Sequence, residues 1–132
     1  MSNIIEILKN APEYIGGTGR TDAEIESAEK QLGIEFALDY KRYLKEIGLA
    51  CFDGHELTGI CRATRLDVVS VTNDERRRCP NSTERYVVEQ TGIDGIVIWQ
   101  SSTGDVFQTI HGSRCRKISD SLEEYILQNI KV

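Results

Sequence analysis

The most reactive side chains in the sequence are few and widely spaced. There are two histidines, His55 and His111, and four cysteines, at positions 51, 61, 79 and 115. The cysteines form no C-x-x-C pair, and their spacing matches neither a zinc site nor a dense disulfide framework, so it predicts reduced thiols. A cysteine nucleophile or a metal-bound thiolate is the alternative, with two histidines to assist it. We expect no metal and no cofactor.

Local signatures of an enzyme are absent from the sequence. It contains neither H-E-x-x-H nor G-x-S-x-G. The glycine-rich run at 16–19 lacks the Gly-Lys-Ser/Thr of a P-loop, so it predicts a flexible connection rather than a phosphate site. Folding could still bring Glu56, Asp105 and His111 together as an acid–base site. Because carboxylates beside turns are usually solvated, we expect no catalytic residues.

A group of polar residues near a predicted turn is a better candidate for binding a partner. Asp53 and Gly54 form a turn signal between two β-like segments, and His55 and Glu56 follow at once. A turn beside a sheet can present the carboxylates of Asp53 and Glu56 to an arginine or lysine of another protein. The alternative is an ordinary polar turn, with Glu56 facing water from an edge strand.

Further candidates for partner contact lie elsewhere in the chain. An acidic face is predicted on one helix, and either binds a partner or is merely solvated. A tryptophan on a predicted strand is either an interface anchor or part of the core. The run Arg76 to Arg78 either contacts phosphate or RNA, or consists of surface charges, which we favour. Together with the turn carboxylates, the expected partner-binding residues are Asp53, Glu56, Asp22, Glu26, Glu29, Trp99 and Asp105.

The distribution of charge favours a basic protein partner over nucleic acid. The formal net charge is -5, and all the excess acid lies in residues 1–60, because residues 61–132 hold equal numbers of acids and bases. Nucleic-acid binding requires a concentrated positive surface. The sequence has no apolar run long enough for a membrane helix and no signal-peptide pattern at its start. We therefore expect a single cytoplasmic domain over residues 1–132, with no membrane or nucleic-acid partner.

Four amphipathic patterns predict helices near the two ends of the chain. Ile4, Ile5 and Leu8 indicate a short first helix that ends before Pro12. A T-x-x-E capping box predicts a second helix from Asp22 to Gly33, and a third follows almost at once, with Tyr40, Tyr43, Leu44 and Ile47 on its buried face. A last helix, capped within 119–121, carries Leu122, Tyr125, Ile126 and Ile130 on one stripe.

The middle of the chain is dominated by β-like segments. A possible capping box of Thr72 and Glu75 predicts a short helix that ends before Pro80. Gly104 permits the turn of a predicted hairpin. The predicted fold is therefore α+β, with a largely antiparallel central sheet flanked by N-terminal helices and a C-terminal helix. The β-like segments are 49–52, 56–60, 66–71, 86–89, 95–100, 106–110 and, as an edge strand, 114–118.

A pair of closely spaced helices is indicated by 21–33, Phe36 and 38–44, and it is followed in order by Gly54, 56–60, 68–72, 104–107 and 118–125. Taken in this order, these segments resemble the SUKH superfamily, which includes bacterial toxin-immunity proteins and the fungal cell-wall assembly regulator. The ordered similarity covers most of residues 21–130. One departure is Ala37, where the family usually has proline before its second helix.

The resemblance implies an α+β fold without catalytic machinery that is used to bind proteins. Many bacterial members of the superfamily are immunity proteins that neutralise a cognate secreted toxin, often a nuclease. The acid-rich first half of this chain is compatible with covering a basic toxin surface. We therefore expect an intracellular immunity protein that occludes the active site of a toxin. The alternative is a regulatory interaction module of the same fold that has no toxin partner.

Overall fold

The structure, a computed structural model, describes residues 3–130 as five helices and two antiparallel sheets, which confirms the predicted α+β class. The helices are α1 (Ile4–Lys9), α2 (Asp22–Leu32), α3 (Leu38–Glu46), α4 (Val68–Arg78) and α5 (Leu122–Asn129). The strands are β1 (Ile15–Gly16), β2 (Ala50–Phe52), β3 (His55–Glu56), β4 (Arg85–Gln90), β5 (Ile96–Ser101), β6 (Val106–Ile110) and β7 (Ser113–Ser119).

Helix α2 begins at the predicted capping box. The backbone N–H of Glu24 donates to the Thr21 hydroxyl (3.2 Å), and the Glu24 carboxylate accepts from the Thr21 N–H (3.0 Å). The latter bond lowers the pKa of Glu24. Its stabilising effect is therefore present above the ordinary glutamate pKa and is lost as the pH falls through the lowered value. The helix ends at Gly33 with a left-handed φ of 69°.

Removing the cap of α2 should weaken the fold measurably. We expect Thr21→Ala to lower the free energy of unfolding by about 1 kcal/mol, because the backbone N–H of Glu24 loses the hydroxyl that accepts from it. Urea denaturation at neutral pH checks this value. Thr64→Ala, at an exposed threonine of a loop, is the control and should change stability by less than about 0.5 kcal/mol. Equal effects of the two substitutions would contradict the role of the capping box.

The helix pair α2–α3 packs on an aromatic core. Tyr40 and Tyr43 are fully buried, and Phe36 contacts both Tyr40 and Tyr86 edge to face, with ring centroids 5.1 and 4.7 Å apart. The Tyr43 hydroxyl donates to the backbone oxygen of Thr58 (2.9 Å), and the Tyr40 hydroxyl lies 2.8 Å from the Thr58 hydroxyl. These bonds fix the chain after β3 against α3.

The small sheet, ordered β1-β2-β3, includes the glycine-rich segment that the sequence predicts to be a flexible connection. That prediction is wrong for the start of the run, because Gly16 pairs with Ala50 in the sheet. Gly19 lies so close to helix α3 that a Cβ there would stand 2.1 Å from the Lys45 carbonyl oxygen. The glycines therefore allow close packing of the backbone rather than motion.

Helix α4 replaces the β-like segment predicted at 66–71. The helix is capped by Asp67, whose carboxylate accepts from the backbone N–H of Ser70 (3.2 Å). The predicted cap, Thr72, lies inside the helix and is fully buried, and its hydroxyl accepts from the backbone N–H of Val87 (3.0 Å). Both predictions are wrong because a cap and tertiary packing outweigh the β propensity of the valines.

The larger sheet is ordered β4-β5-β6-β7, and its strands agree with the predicted β segments. A β-bulge lies in β4, where Val87 pairs with Trp99 but Glu89 pairs with Ile98. The predicted turn at Gly104 is confirmed, with φ of 102°. Most of the core lies between this sheet and helices α1, α2, α3 and α5, and a smaller apolar cluster under α4 contains Val71, Val87 and Trp99.

Helix α5 is held at its N-terminus by two side chains. The Ser121 hydroxyl caps it as predicted, accepting from the backbone N–H of Glu124 (3.0 Å). The buried carboxylate of Asp39, from α3, accepts from the backbone N–H groups of Leu122 (2.8 Å) and Glu123 (3.3 Å) through Oδ2. Its Oδ1 accepts from the side-chain amide of Gln100 (3.1 Å). Asp39 thus joins α3, the sheet and α5.

A single arginine connects α2 to the start of β4. The guanidinium of Arg76 donates to the backbone oxygens of Leu32 (2.9 Å), Thr83 (3.0 Å) and Arg85 (3.2 Å). Burial lowers the pKa of Arg76. The Leu32 carbonyl lies at the C-terminal end of α2, where a positive charge is favourable.

Within residues 3–130, no helix combines the length and apolar character that crossing a membrane requires.

Candidate protein-binding site

The turn singled out in the sequence opens onto a cavity of about 550 Å³, which we call the hairpin cavity. The turn joins β2 to β3 through Asp53 (φ 44°) and Gly54 (φ 83°), two positive values that suit an Asp-Gly hairpin. The cavity is lined by Asp53, Gly54, His55, Glu89, Thr91, Ile93, Ile96, Ile98, Gln108, Ile118, Tyr125, Gln128 and Asn129.

The backbone beside the hairpin brings it against strand β4. The N–H of Thr58 donates to the Val88 carbonyl oxygen (2.9 Å), and Leu57 forms an isolated antiparallel bridge with Glu89. The His55 ring stacks on Phe52, with ring centroids 5.1 Å apart and planes 21° from parallel. These contacts fix the imidazole at the wall of the cavity.

The most unusual group in the cavity is the carboxylate of Glu89, whose side chain is 3% exposed. His55 Nδ1 lies 2.9 Å from Oε2, and the Tyr125 hydroxyl donates to Oε1 (2.5 Å). Burial, together with the nearby charge of Glu89, raises the pKa of Tyr125, so its hydroxyl stays protonated and able to donate. A buried carboxylate is costly unless it is paired and hydrogen-bonded.

The described residues that line the hairpin cavity include two carboxylates and neither a lysine nor an arginine. The carboxylates belong to Asp53 and Glu89, and His55 is the one basic group among these described residues. At its rim, Ile93 is 62% exposed. The cavity therefore combines negative charge with accessible apolar surface, a combination suited to a basic side chain and its aliphatic stem.

A second cavity, of about 540 Å³, lies on the other side of β3 beside α4 and differs in its charge balance. Glu56, which lines it, forms a bidentate ion pair with Arg65 (3.1 Å for both bonds), and this hydrogen bonding lowers the pKa of Glu56. Glu75 in the same cavity lies 3.4 Å from Arg78. Its carboxylates thus have cationic partners within the chain, which makes this cavity the weaker candidate for a basic ligand.

The structure separates the two carboxylates that the sequence places together at the turn. Asp53, in the turn, and His55 line the hairpin cavity, whereas Glu56 lines the cavity beside α4. His55 and Glu56 are neighbours on β3, and neighbouring side chains of a strand point to opposite faces. The acid–base combination of Glu56, Asp105 and His111 is also divided. His111 shares a cavity with Glu56, but Asp105 instead forms an ion pair with Lys117 (3.1 Å).

The acidic face of α2 lies apart from the hairpin cavity. Asp22 is exposed and lies 3.3 Å from Lys45, and Glu26 is exposed with no ion pair to any described residue. Glu29 has a structural contact, since its carboxylate accepts from the backbone N–H of Phe36 (2.8 Å). Of the three, Asp22 and Glu26 remain the surface candidates.

Trp99 lies in the core, with 1% of its surface exposed, and its indole N–H donates to the Thr109 hydroxyl (2.9 Å). This position agrees with the core alternative, and we leave Trp99 out of the proposed surface. The guanidinium of Arg85 lies over the Trp99 ring, 5.8 Å from its centroid.

The three arginines of the basic run have different roles. Arg76 binds carbonyl groups, whereas Arg77 and Arg78 are exposed and lie near Asp74.

The four cysteines are free thiols in the structure, which agrees with the predicted reduced state. Burial raises the pKa of Cys61. No group of three or more metal-binding side chains of His, Cys, Asp or Glu occurs in the described part of the chain.

Sequence reasoning missed Glu89, Tyr125 and Ile93 as members of the site. Glu89 ends a predicted strand, Tyr125 belongs to a predicted buried stripe, and Ile93 lies in a loop. A glutamate directly after three apolar strand residues is the one signal available, since a buried carboxylate needs a specific partner. That partner, His55, lies 34 positions away and is brought close only by the tertiary fold.

Comparison with known proteins agrees with this architecture. The family described as SUKH_5, SMI1-KNR4 cell-wall, matches residues 1–131. The chain therefore belongs to the SMI1-KNR4 family of the SUKH superfamily, whose domains have immunity and regulatory roles. A solved protein from Pseudomonas syringae pv. tomato has the same fold, with a TM-score of 0.79, 14% identity and 98% of each chain covered. No curated protein matches the sequence.

Proposed function

We propose that this protein is an intracellular immunity protein that binds a cognate bacterial toxin and blocks its active site. In this proposal residues 1–132 act as one cytoplasmic domain without catalytic residues, cofactor, membrane or nucleic-acid partner. The observation that carries it is membership of the SMI1-KNR4 family over residues 1–131, because immunity is one of the established roles of SUKH domains.

The surface chemistry supports a protein partner with a basic surface. The hairpin cavity offers carboxylates without a lysine or arginine of its own among the described lining residues, and Ile93 exposes apolar surface at its rim. Interfaces commonly combine a desolvated anchor with a polar rim. Nucleases present basic surfaces to their substrate, so a nuclease is the first class of toxin to test.

Inhibition by occlusion needs no chemistry from the immunity protein. A rigid sheet and helix α5 hold the cavity, so the bound surface is presented with little loss of conformational freedom. Contact between this acidic surface and the substrate channel of a nuclease would exclude phosphate both sterically and electrostatically.

Association with the toxin should depend on salt and on specific carboxylates. The test uses a candidate toxin, taken from the gene directly upstream if that gene encodes one, and measures its binding kinetics and the survival of cells that produce it. We expect the association rate to fall as salt rises from low to physiological ionic strength, because exposed charges are screened over about 8 Å there. Asp53→Asn should lower the association rate several-fold, and the turn should persist because asparagine tolerates positive φ.

Two control variants separate the hairpin cavity from other acidic surfaces. Asp22→Ser with Glu26→Ser removes the exposed charges of the α2 face and leaves the structural contact of Glu29 intact. Glu56→Gln tests the cavity beside α4. If all variants protect cells fully and bind with unchanged kinetics at every salt concentration, these carboxylates do not form the toxin-binding surface. If the wild-type protein neither binds the toxin nor protects cells, the proposed function is wrong.

The family description also supports a second candidate, a regulatory interaction module with no toxin partner. The matching family is described as SMI1-KNR4 cell-wall, which favours a role in regulating cell-wall assembly. Gene context discriminates the two functions: a toxin gene directly upstream supports immunity, and an operon for wall synthesis supports regulation.

A further inference from the structure

We infer that the hairpin cavity receives one arginine side chain of the protein partner, with the Glu89 carboxylate as its acceptor. This inference rests on the proposed function and assigns its central contact. It also defines a property of the isolated protein, namely selective binding of a guanidinium group, which can be measured without any toxin.

The first argument is the unused capacity of Glu89. An ionised carboxylate offers about four acceptor positions, and the described contacts from His55 and Tyr125 use two of them. Neither contact supplies a permanent positive charge, because tyrosine is neutral and histidine is cationic only when protonated. The buried carboxylate is therefore hydrogen-bonded but lacks a permanent countercharge, and a guanidinium supplies both charge and donors.

The second argument is the shape and composition of the cavity. A volume of about 550 Å³ exceeds what one side chain fills, so an arginine and part of the loop that carries it fit inside. The apolar wall of Ile96 and Ile98 suits the aliphatic stem of arginine. Gln108 and Asn129 also line the cavity, and their side-chain oxygens can accept from the remaining N–H groups of the guanidinium. The side-chain oxygen of Gln128 already accepts from the Ser119 hydroxyl (2.8 Å).

The third argument is contrast with the cavity beside α4. There Glu56 already forms a bidentate pair with Arg65, which is the geometry that we infer for the partner's arginine at Glu89. The two cavities have nearly equal volumes, and both contain glutamates. Among the described residues that line them, the cavity beside α4 contains arginines and the hairpin cavity contains none. Glu56 is therefore a matched control for Glu89.

The first experiment titrates the isolated protein with N-acetyl-arginine-amide and follows the side-chain NMR signals of His55 and Tyr125. N-acetyl-citrulline-amide, which has nearly the same shape but no charge, is the control ligand. We expect saturable shifts with the arginine probe and at least tenfold weaker binding of the citrulline probe. Glu89→Gln should abolish the difference, while Glu56→Gln should preserve it. Equal binding of the two probes to the wild-type protein would overturn the inference.

The second experiment measures toxin affinity with the same variants. We expect Glu89→Gln to weaken binding at least tenfold, with Glu56→Gln within twofold of the wild type. Unchanged toxin affinity in a folded Glu89→Gln variant overturns the inference and leaves the proposed function standing. Failure of the wild-type protein to bind the toxin overturns the proposed function, and the probe titration then decides the inference alone.

Folding of the variants is monitored by thermal melting, because Glu89 is buried. Glutamine keeps an acceptor for Tyr125 and a hydrogen-bonding group for His55, so we expect a folded protein. If Glu89→Gln does not fold, Asp53→Asn with Ile93→Ser at the rim replaces it in both experiments. That double variant should bind both the arginine probe and the toxin at least threefold more weakly than the wild type. Unchanged binding of either would overturn the inference.

Discussion

Replacing Leu44 by aspartate is expected to unfold the protein. Leu44 is fully buried on the core face of α3. The substitution removes packing worth about 2 to 5 kcal/mol and buries an unpaired carboxylate at a cost of several kcal/mol more. Together these costs equal the roughly 5 to 15 kcal/mol by which domains of this kind are stable. Circular dichroism at 25 °C and a thermal melt would show the loss of the cooperative transition.

The control for this prediction is a leucine-to-aspartate substitution at an exposed position of the same helix. Leu38 is 84% exposed at the start of α3, where a negative charge is favourable to the helix dipole. The Leu38→Asp protein should therefore have a melting temperature close to that of the wild type. A Leu44→Asp protein with an unchanged melting temperature would show that the assigned core face of α3 is wrong.

The second large effect is expected from Asp39→Ala. The substitution removes a buried carboxylate that accepts from the N–H groups of Leu122 and Glu123 and from the Gln100 amide. Hydrogen bonds to a charged group contribute about 1.5 to 3 kcal/mol, and buried donors without partners add a cost of their own. We expect the free energy of unfolding in urea to fall by about 3 to 5 kcal/mol.

Two further variants make the Asp39 prediction specific. Asp39→Asn keeps one acceptor oxygen for the N-terminus of α5 and should lose less stability than alanine. Asp120→Ala removes an exposed carboxylate close to the same helix end and should cost less than about 1 kcal/mol. If Asp39→Ala costs no more than Asp120→Ala, the buried carboxylate does not hold α5.

Helix α2 could be predicted to the residue because both of its ends carry local signals. Thr21 and Glu24 cap the start and Gly33 ends the helix, and these interactions depend only on neighbours in sequence. For helix α4 the same reasoning correctly predicted an end before Pro80 but misplaced the start. Asp67 and Thr72 are competing candidates for its N-cap. Asp67 caps the helix, whereas the Thr72 hydroxyl forms a hydrogen bond with β4. That choice depends on a contact with a strand fifteen positions away.

One part of the candidate site also follows from neighbouring residues in the sequence, and another part depends on contacts between distant residues. The Asp53-Gly54 turn was predictable, since its conformation follows from its residue types. Residues 86–89 are all buried, so strand alternation gave no signal that Glu89 differs from its neighbours. The bulge between Val87 and Glu89 changes the register and brings the carboxylate to His55 and Tyr125. Such an irregularity follows from packing across the sheet.

The guanidinium of Arg76 has a consequence for how the molecule fluctuates. Because it binds carbonyl oxygens at the end of α2 and at the start of β4, each of these segments must break a bond to Arg76 before it can open. Local opening costs more where it breaks such a bond. Although α2 ends at an exposed glycine, we therefore expect the amide hydrogens of its last turn to exchange more slowly than those of a freely fraying helix end. Slow opening, rather than rapid local fraying, is the motion that we expect at that corner of the fold.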